Sequence, residues 1–124
     1  MTKKTPFEFG PNQKTWLRWL KTTKRKQTAG ALYDGKGYCC LGIACVAMGL
    51  QPVESDTGEY YFDGADMALS PKMTKALGLR TSSGDPNTET LWSLENLNDV
   101  KEYSFKKIAK VLENNPREYF KKSA

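Results

Sequence analysis

The feature that most constrains the fold is a nearly uninterrupted apolar segment, residues 41–50, with the sequence LGIACVAMGL. It has about half the length that a bilayer span needs, so a folded chain must bury it in a protein core. Its glycine and alanine residues favour a helix packed closely against its neighbours, and Gly49 stands where a helix end needs a left-handed residue. Periodicity alone does not separate this helix from a buried strand, but the length and the terminal glycine favour the helix.

Apolar spacing predicts further helices on both sides of this segment. One runs from Pro11 to about Thr22, where tryptophans and leucines form a single apolar stripe. Another follows Ser104, which is placed to cap it, and has lysines on the face opposite its apolar residues. A shorter helix is predicted after Ser70, and a short last helix near Tyr119.

Turn residues predict two β-hairpins. The first brings residues 27–33 back along residues 38–40 around a DGKG turn, and the second lies in residues 51–66. We therefore expect an α+β fold with three or four helices and a small antiparallel sheet of hairpins. The chain is long enough for a single domain, residues 1–124, and residues 1–10 are predicted to form a loosely ordered arm.

The chain contains no histidine, which narrows the chemistry that it can perform. Ser-His-Asp and Cys-His nucleophiles and two-histidine zinc sites all need an imidazole and are excluded. The vicinal Cys39 and Cys40 are predicted at the N-terminus of the central helix, where the helix dipole can lower a thiol pKa. With no imidazole to accept the proton, we interpret both as buried structural cysteines, and a cysteine-dependent enzyme stays as an alternative.

The three cysteines also bear on metals and on the cellular compartment. Cys39, Cys40 and Cys45 lack the paired CxxC spacing of zinc knuckles, so neither a metal nor another cofactor is predicted. An odd cysteine count and a basic N-terminus without an apolar run behind it predict reduced thiols and no export signal. We therefore expect a cytoplasmic protein without a membrane partner.

The net charge of +5 is unevenly distributed along the chain. Residues 1–26 carry eight Lys or Arg and one acid, residues 27–66 one Lys and six acids, and residues 67–124 ten bases and seven acids. The three segments therefore have net charges of +7, −5 and +3. This separation can steer an anionic ligand, or it can let one end of the chain lie across the other.

A candidate anion-binding segment follows the first predicted helix. Lys24, Arg25 and Lys26 precede Gln27 and Thr28, so a phosphate there would meet two or three cations, a side-chain amide and backbone N–H groups. The alternative is a solvated helix end whose basic residues complement the helix dipole. No glycine-rich phosphate motif accompanies the segment.

Two further groups of side chains are candidates for the same site. Asn and Asp near residue 98 are suited to a base edge or ribose hydroxyls, although they are equally suited to a plain Asx-turn. Aromatic rings are candidates for stacking on a base. The members of the two groups are Asn96, Asn98, Asp99, Tyr33, Tyr38, Tyr60 and Trp92.

Two motifs resemble those of a family of small bacteriophage and prophage proteins. The family shares a YCCLG core, here residues 38–42, and an LxxLND…SFxxIA tail, here residues 94–99 and 104–109. The resemblance covers roughly residues 11–114 and departs from the family at residues 100–102, where relatives have a glycine-containing turn. It implies a phage-encoded accessory protein in the cytoplasm of the bacterial host, and it implies no named reaction.

These features lead to an expected function by analogy of class. Some small phage proteins counter host defences by sequestering nucleotide-derived signals, so we expect a non-catalytic sponge for a small anionic ligand such as a cyclic nucleotide or an ADP-ribose derivative. Such proteins usually form oligomers that complete each pocket, which makes a homo-oligomer a compatible state. The alternatives are a regulator that binds nucleic acid or a host protein through the basic N-terminal region, and a cysteine-dependent enzyme.

Overall fold

The computed structural model describes residues 6–124, and within them the chain forms six helices and a two-stranded sheet. The predicted α+β class is confirmed, with more helices than the three or four that the sequence predicted. The elements are α1 (Pro11–Thr22), α2 (Cys40–Ala47), β1 (Val53–Glu54), β2 (Tyr60–Tyr61), α3 (Pro71–Ala76), α4 (Leu94–Asp99), α5 (Phe105–Asn114) and α6 (Pro116–Tyr119). None of the described helices is long and apolar enough to cross a membrane.

The apolar segment forms α2, which lies at the centre of the fold. Helices α1 and α4 pack against α2, and α5 packs against both of them. Every residue of α2 from Cys40 to Cys45 is buried. The fully buried Trp16 of α1 donates its indole N–H to the carbonyl oxygen of Cys40 at 3.0 Å, which satisfies both polar groups inside the core.

Serine residues begin three of the helices in the same way. The hydroxyl oxygens of Ser70, Ser93 and Ser104 each accept the backbone N–H three residues further on, at 3.1–3.2 Å. Such a bond satisfies one of the otherwise unpaired donors of a first helical turn. The caps of α3 and α5 were predicted from the sequence. Helix α4, with Leu94 and Leu97 buried on one side, forms where the sequence had suggested only a turn.

The first predicted hairpin does not form a strand ladder. Only single β-bridges join Tyr38 to Gln27 and to Tyr33. Because Cys39 is already the N-cap of α2, only Gly37 and Tyr38 remain for the second strand of this hairpin. The second predicted hairpin does form: β1 pairs antiparallel with β2, with Val53 opposite Tyr61 and Glu54 opposite Tyr60.

Residues 6–10, the described part of the predicted arm, pack against the C-terminal segment. Residues 1–5 lie outside the described residues. In the part of the predicted arm that is described, the rings of Phe7 and Phe9 each lie 6.0 Å from the ring of Phe120, which is buried in the core. Aromatic contacts at this distance stabilise the position of residues 6–10 against the C-terminal segment.

A buried side-chain amide joins both ends of the described chain. Gln13 of α1 is fully buried, and its Nε2 donates to the carbonyl oxygens of Leu77 and Lys122, both at 2.9 Å. Its Oε1 accepts the N–H of Gly10 at 2.9 Å, which closes the first turn of α1. One residue thus fixes the start of α1, the end of α3 and the C-terminal segment.

Gly42 allows α2 to approach the preceding loop closely. A Cβ atom at this position would lie 1.9 Å from the carbonyl oxygen of Leu32, a buried core residue. The same oxygen accepts the N–H of Cys39 at 3.2 Å, so the loop cannot move away without losing a hydrogen bond at the start of α2.

We expect Gly42→Ala to lower the free energy of unfolding by about 2–4 kcal/mol, because the added methyl group meets backbone atoms. Gly49→Ala is the matched control. Its Cβ would meet nothing within 4 Å, although φ is +87°, so we expect a loss of only about 1 kcal/mol there. Urea unfolding of both variants measures the difference, and equal losses would contradict the close approach of α2 to Leu32.

Candidate functional site

The side-chain amide of Asn98 uses all of its hydrogen-bonding capacity inside the protein. Its Oδ1 accepts from the Nε2 of Gln27 at 2.8 Å and from the backbone N–H of Cys40 at 3.1 Å. Its Nδ2 donates to the carbonyl oxygen of Thr28 at 2.7 Å and to the Oδ1 of Asp99 at 2.8 Å. Since an amide has two donors and two acceptor positions, no capacity is left for a ligand.

The residues around Asn98 are held by further hydrogen bonds. The Nε2 of Gln27 also donates to the carbonyl oxygen of Tyr103 at 2.8 Å, and the Oδ2 of Asp99 accepts the N–H of Gly30 at 3.1 Å. We call Gln27, Thr28, Asn98 and Asp99 with these bonds the Asn98 network. It connects α4 to the start of α2 and to the loop that follows α1.

Asp34 fixes the far end of that loop. Its carboxylate accepts the hydroxyl of Thr28 at 2.6 Å and the N–H groups of Gly37 and Lys36 at 2.8 and 2.9 Å. These bonds, led by the one from Thr28, lower the pKa of Asp34 to about 2. The DGKG segment is therefore a closed turn, as its sequence predicted.

A shallow pocket of about 380 Å³ lies beside the Asn98 network. Of the residues predicted to bind an anion, it gathers Gln27, Thr28, Asn98 and Asp99. Asp99 and Glu102 give its wall two carboxylates, and no Lys or Arg lines it. The polar groups that the sequence singled out do come together, but the charge of the pocket disfavours an anion.

The basic residues of the predicted site lie outside this pocket. Lys24, Arg25 and Lys26 are exposed. The guanidinium of Arg25 lies 5.0 Å from the ring centre of Trp19 and 5.8 Å from that of Tyr38, which holds it between two aromatic rings.

Trp92 and Asn96 make their contacts elsewhere. Trp92 is 43% exposed, and the Lys101 ammonium lies 4.4 Å from the centre of its indole ring. The backbone carbonyl oxygen of Trp92 accepts the Tyr119 hydroxyl at 2.7 Å. Asn96 is exposed and accepts the N–H groups of Val100 and Lys101 through its carbonyl oxygen. Neither residue lines the pocket beside the Asn98 network.

The three cysteines are buried and free of disulfides. Cys39 caps α2 through its sulfur, which accepts the Gly42 N–H at 3.4 Å, and the Cys40 thiol lies 3.6 Å from the Leu94 carbonyl oxygen. Burial raises the pKa of Cys39 and of Cys45 to about 12, and burial also raises the pKa of Cys40 well above its usual range. The helix dipole does not compensate for the loss of solvent.

The acidic residues offer no cluster for a cation. Within residues 6–124, no three His, Cys, Asp or Glu side chains form a group that could hold a metal ion. The carboxylate of Asp63 accepts the hydroxyl of Ser70 at 2.7 Å.

A concentration of positive charge lies between α1 and α5. Two cavities there, of about 610 and 300 Å³, both have Lys21 and Glu113 in their lining, and we call the two cavities together the α1–α5 groove. Lys21 and Glu113 form a salt bridge across it. The basic residues of the groove are Lys14, Arg18, Lys21, Lys106, Lys107 and Lys110.

The sequence contained the parts of this groove but not their arrangement. Both helices showed lysines opposite an apolar face, and only the packing of α1 on α5 places the two basic faces beside each other. A pairing of Lys21 with Glu113, 92 positions apart, leaves no local signal in the sequence.

Comparisons with known proteins add no assignment. No family model, no curated protein and no solved structure matches this chain.

We expect Asn98→Ala to lower the free energy of unfolding by about 2–4 kcal/mol, because the buried N–H of Cys40 and the carbonyl oxygen of Thr28 lose their partners. Asn96→Ala is the matched control on the same helix. Its exposed side-chain amide makes no hydrogen bond within the described residues, so we expect a change within about 0.5 kcal/mol. Denaturant unfolding of both variants checks this, and a tolerated Asn98→Ala would contradict a structural role for the network.

We expect iodoacetamide to leave Cys39, Cys40 and Cys45 unmodified in the folded protein at pH 8, because buried thiols with a raised pKa form almost no thiolate. All three should react in guanidinium, as counted by mass spectrometry. A Val53→Cys variant supplies an exposed thiol as a positive control. Rapid alkylation of Cys39 or Cys40 in the native state would favour the cysteine-dependent enzyme.

Proposed function

We propose that the protein is a non-catalytic binder of nucleic acid that holds the phosphate backbone along the α1–α5 groove. The observation that carries this proposal is the charge of the groove, where six basic side chains face one carboxylate. If the phage resemblance is correct, the protein would act as an accessory factor in the host cytoplasm.

The charge of the groove is available to a ligand. All six basic residues are exposed, and only Lys21 is paired with an acid in the groove. The N-terminus of α5 adds the positive end of a helix dipole next to Lys106 and Lys107. Phosphate contacts of this kind supply most of the affinity in binding that does not depend on base sequence.

The shape of the groove favours a long ligand over a small one. Its basic residues follow two helices: Lys14, Arg18 and Lys21 lie on α1, and Lys106, Lys107 and Lys110 lie on α5. A small nucleotide would need buried donors that converge on it, whereas a phosphate backbone needs a row of exposed cations. Lysine, a flexible point charge, suits contacts that do not read bases.

A second candidate keeps the small nucleotide-like ligand expected from the sequence. It is favoured by Arg25, whose guanidinium carbon lies 5.0 and 5.8 Å from the ring centres of Trp19 and Tyr38, with Lys24 and Lys26 next to it in the sequence. A guanidinium that lies against aromatic rings still presents N–H groups to a phosphate. This candidate would bind and sequester its ligand at the end of α1.

For the nucleic-acid proposal, we expect labelled oligonucleotides, as a single strand and as a duplex, to bind in fluorescence anisotropy with a strong salt dependence. With four to six phosphates neutralised, the slope of log K against log salt for the duplex should be about −4 to −5. Lys106→Gln/Lys110→Gln should make that slope less steep by about 2, because two contacts are lost.

Lys36→Gln/Lys72→Gln is the control for net charge, since these exposed lysines line neither cavity of the groove. Equal effects of the two double variants, or no binding at low salt, would contradict the proposal. The second candidate would be supported if the protein binds a cyclic dinucleotide or ADP-ribose. In that case Arg25→Gln should abolish the binding, and Lys106→Gln/Lys110→Gln should leave it intact.

A further inference from the structure

A separate basic cavity of about 530 Å³ lies between α3 and the C-terminal segment. Its lining includes four cations, Lys75, Arg80, Lys121 and Lys122, and no carboxylate. It shares no lining residue with the α1–α5 groove. An inference about this cavity is therefore independent of the proposed function.

Backbone hydrogen bonds fix the two segments that carry three of these cations, Arg80, Lys121 and Lys122. Leu79 and Phe120 form an antiparallel bridge, the N–H of Arg80 donates to the carbonyl oxygen of Tyr119 at 3.1 Å, and the N–H of Lys121 donates to that of Gly78 at 2.8 Å. Leu79 and Phe120 are buried in the core. The cations thus extend from a rigid support, which lowers the entropy lost on binding.

Arg80 has a polar group that the protein leaves unsatisfied. Its Nε is buried and has no hydrogen-bond partner among the described residues. Its Nη2 donates to the carbonyl oxygen of Arg117 at 2.9 Å, which holds the guanidinium in place. Buried charged donors without a partner are rare, because burial removes the water that would otherwise solvate them.

We propose that this cavity binds the phosphoryl group of a small phosphate monoester. A phosphate dianion supplies several acceptor oxygens, so it can accept from the guanidinium N–H groups that Arg80 does not donate to Arg117, while the lysines neutralise its charge. Hydroxyl side chains also line the cavity, among them Thr81 and Ser82. Asp85 accepts the Thr81 hydroxyl at 2.9 Å and does not line the cavity.

The test follows the arginine Nε–H signals in ¹H–¹⁵N NMR spectra, where the Arg80 signal is the one that Arg80→Lys removes. Titration with inorganic phosphate and with adenosine 5′-monophosphate should shift it saturably, with a dissociation constant at or below about 1 mM. Sodium chloride at the same ionic strength is the control. If adenosine 5′-monophosphate binds several-fold more tightly than inorganic phosphate, the ligand is an esterified phosphate. If the two bind with equal affinity, the cavity recognises the phosphate group alone. Either result supports a phosphoryl site.

The pH supplies a second readout, because the second ionisation of a phosphate monoester lies near pH 6 and the chain has no histidine. Affinity should fall several-fold between pH 7.5 and about 5. Lys75→Gln/Lys122→Gln should weaken binding about tenfold, and Lys106→Gln/Lys110→Gln, which removes the same charge from the groove, should not. An absent shift up to about 20 mM phosphate, an equal shift with chloride, or equal losses in both double variants would overturn the proposal.

Discussion

One buried amide joins the start of α2 to α4 and to the loop that follows α1. Asn98 accepts the first free N–H of α2, which is buried and would otherwise lack a partner, and it donates to the partly buried carbonyl oxygen of Thr28. Because its four bonds reach α2, α4 and the loop after α1, these elements must adopt their positions together. An LND motif is therefore explained by the requirements of folding, without a ligand.

Local signals in the sequence predicted the elements that depend on local interactions. Pro11 and the apolar stripe of tryptophan and leucine predicted the bounds that α1 has in the structure. Ser70 and Ser104 cap α3 and α5 as expected. Helix α4 was missed, because its only local signals are the cap at Ser93 and two leucines in a six-residue helix. The first hairpin was over-predicted, because nothing local shows that Cys39 caps α2 and ends the returning arm.

The candidate sites show the same division. The position of Cys39 and Cys40 before an apolar run predicted that they lie at the start of a helix. The same position predicted that they are buried. Which basic faces meet is a property of packing, so neither the α1–α5 groove nor the cavity at Arg80 could be predicted from charge counts. Of the polar residues grouped near Asn98, Asp99 lies beside it and Asn96 does not, and the sequence did not show that Glu102 lines the same pocket.

The buried amide of Gln13 has a consequence for the order of events during folding. Its hydrogen bond to Lys122 spans 109 positions, and its bond to Leu77 spans 64. Contacts between such distant residues form late, because closing a long loop costs entropy before any contact compensates for it. The Gln13 amide therefore completes its hydrogen bonds only when residues near positions 77 and 122 have both folded back onto α1.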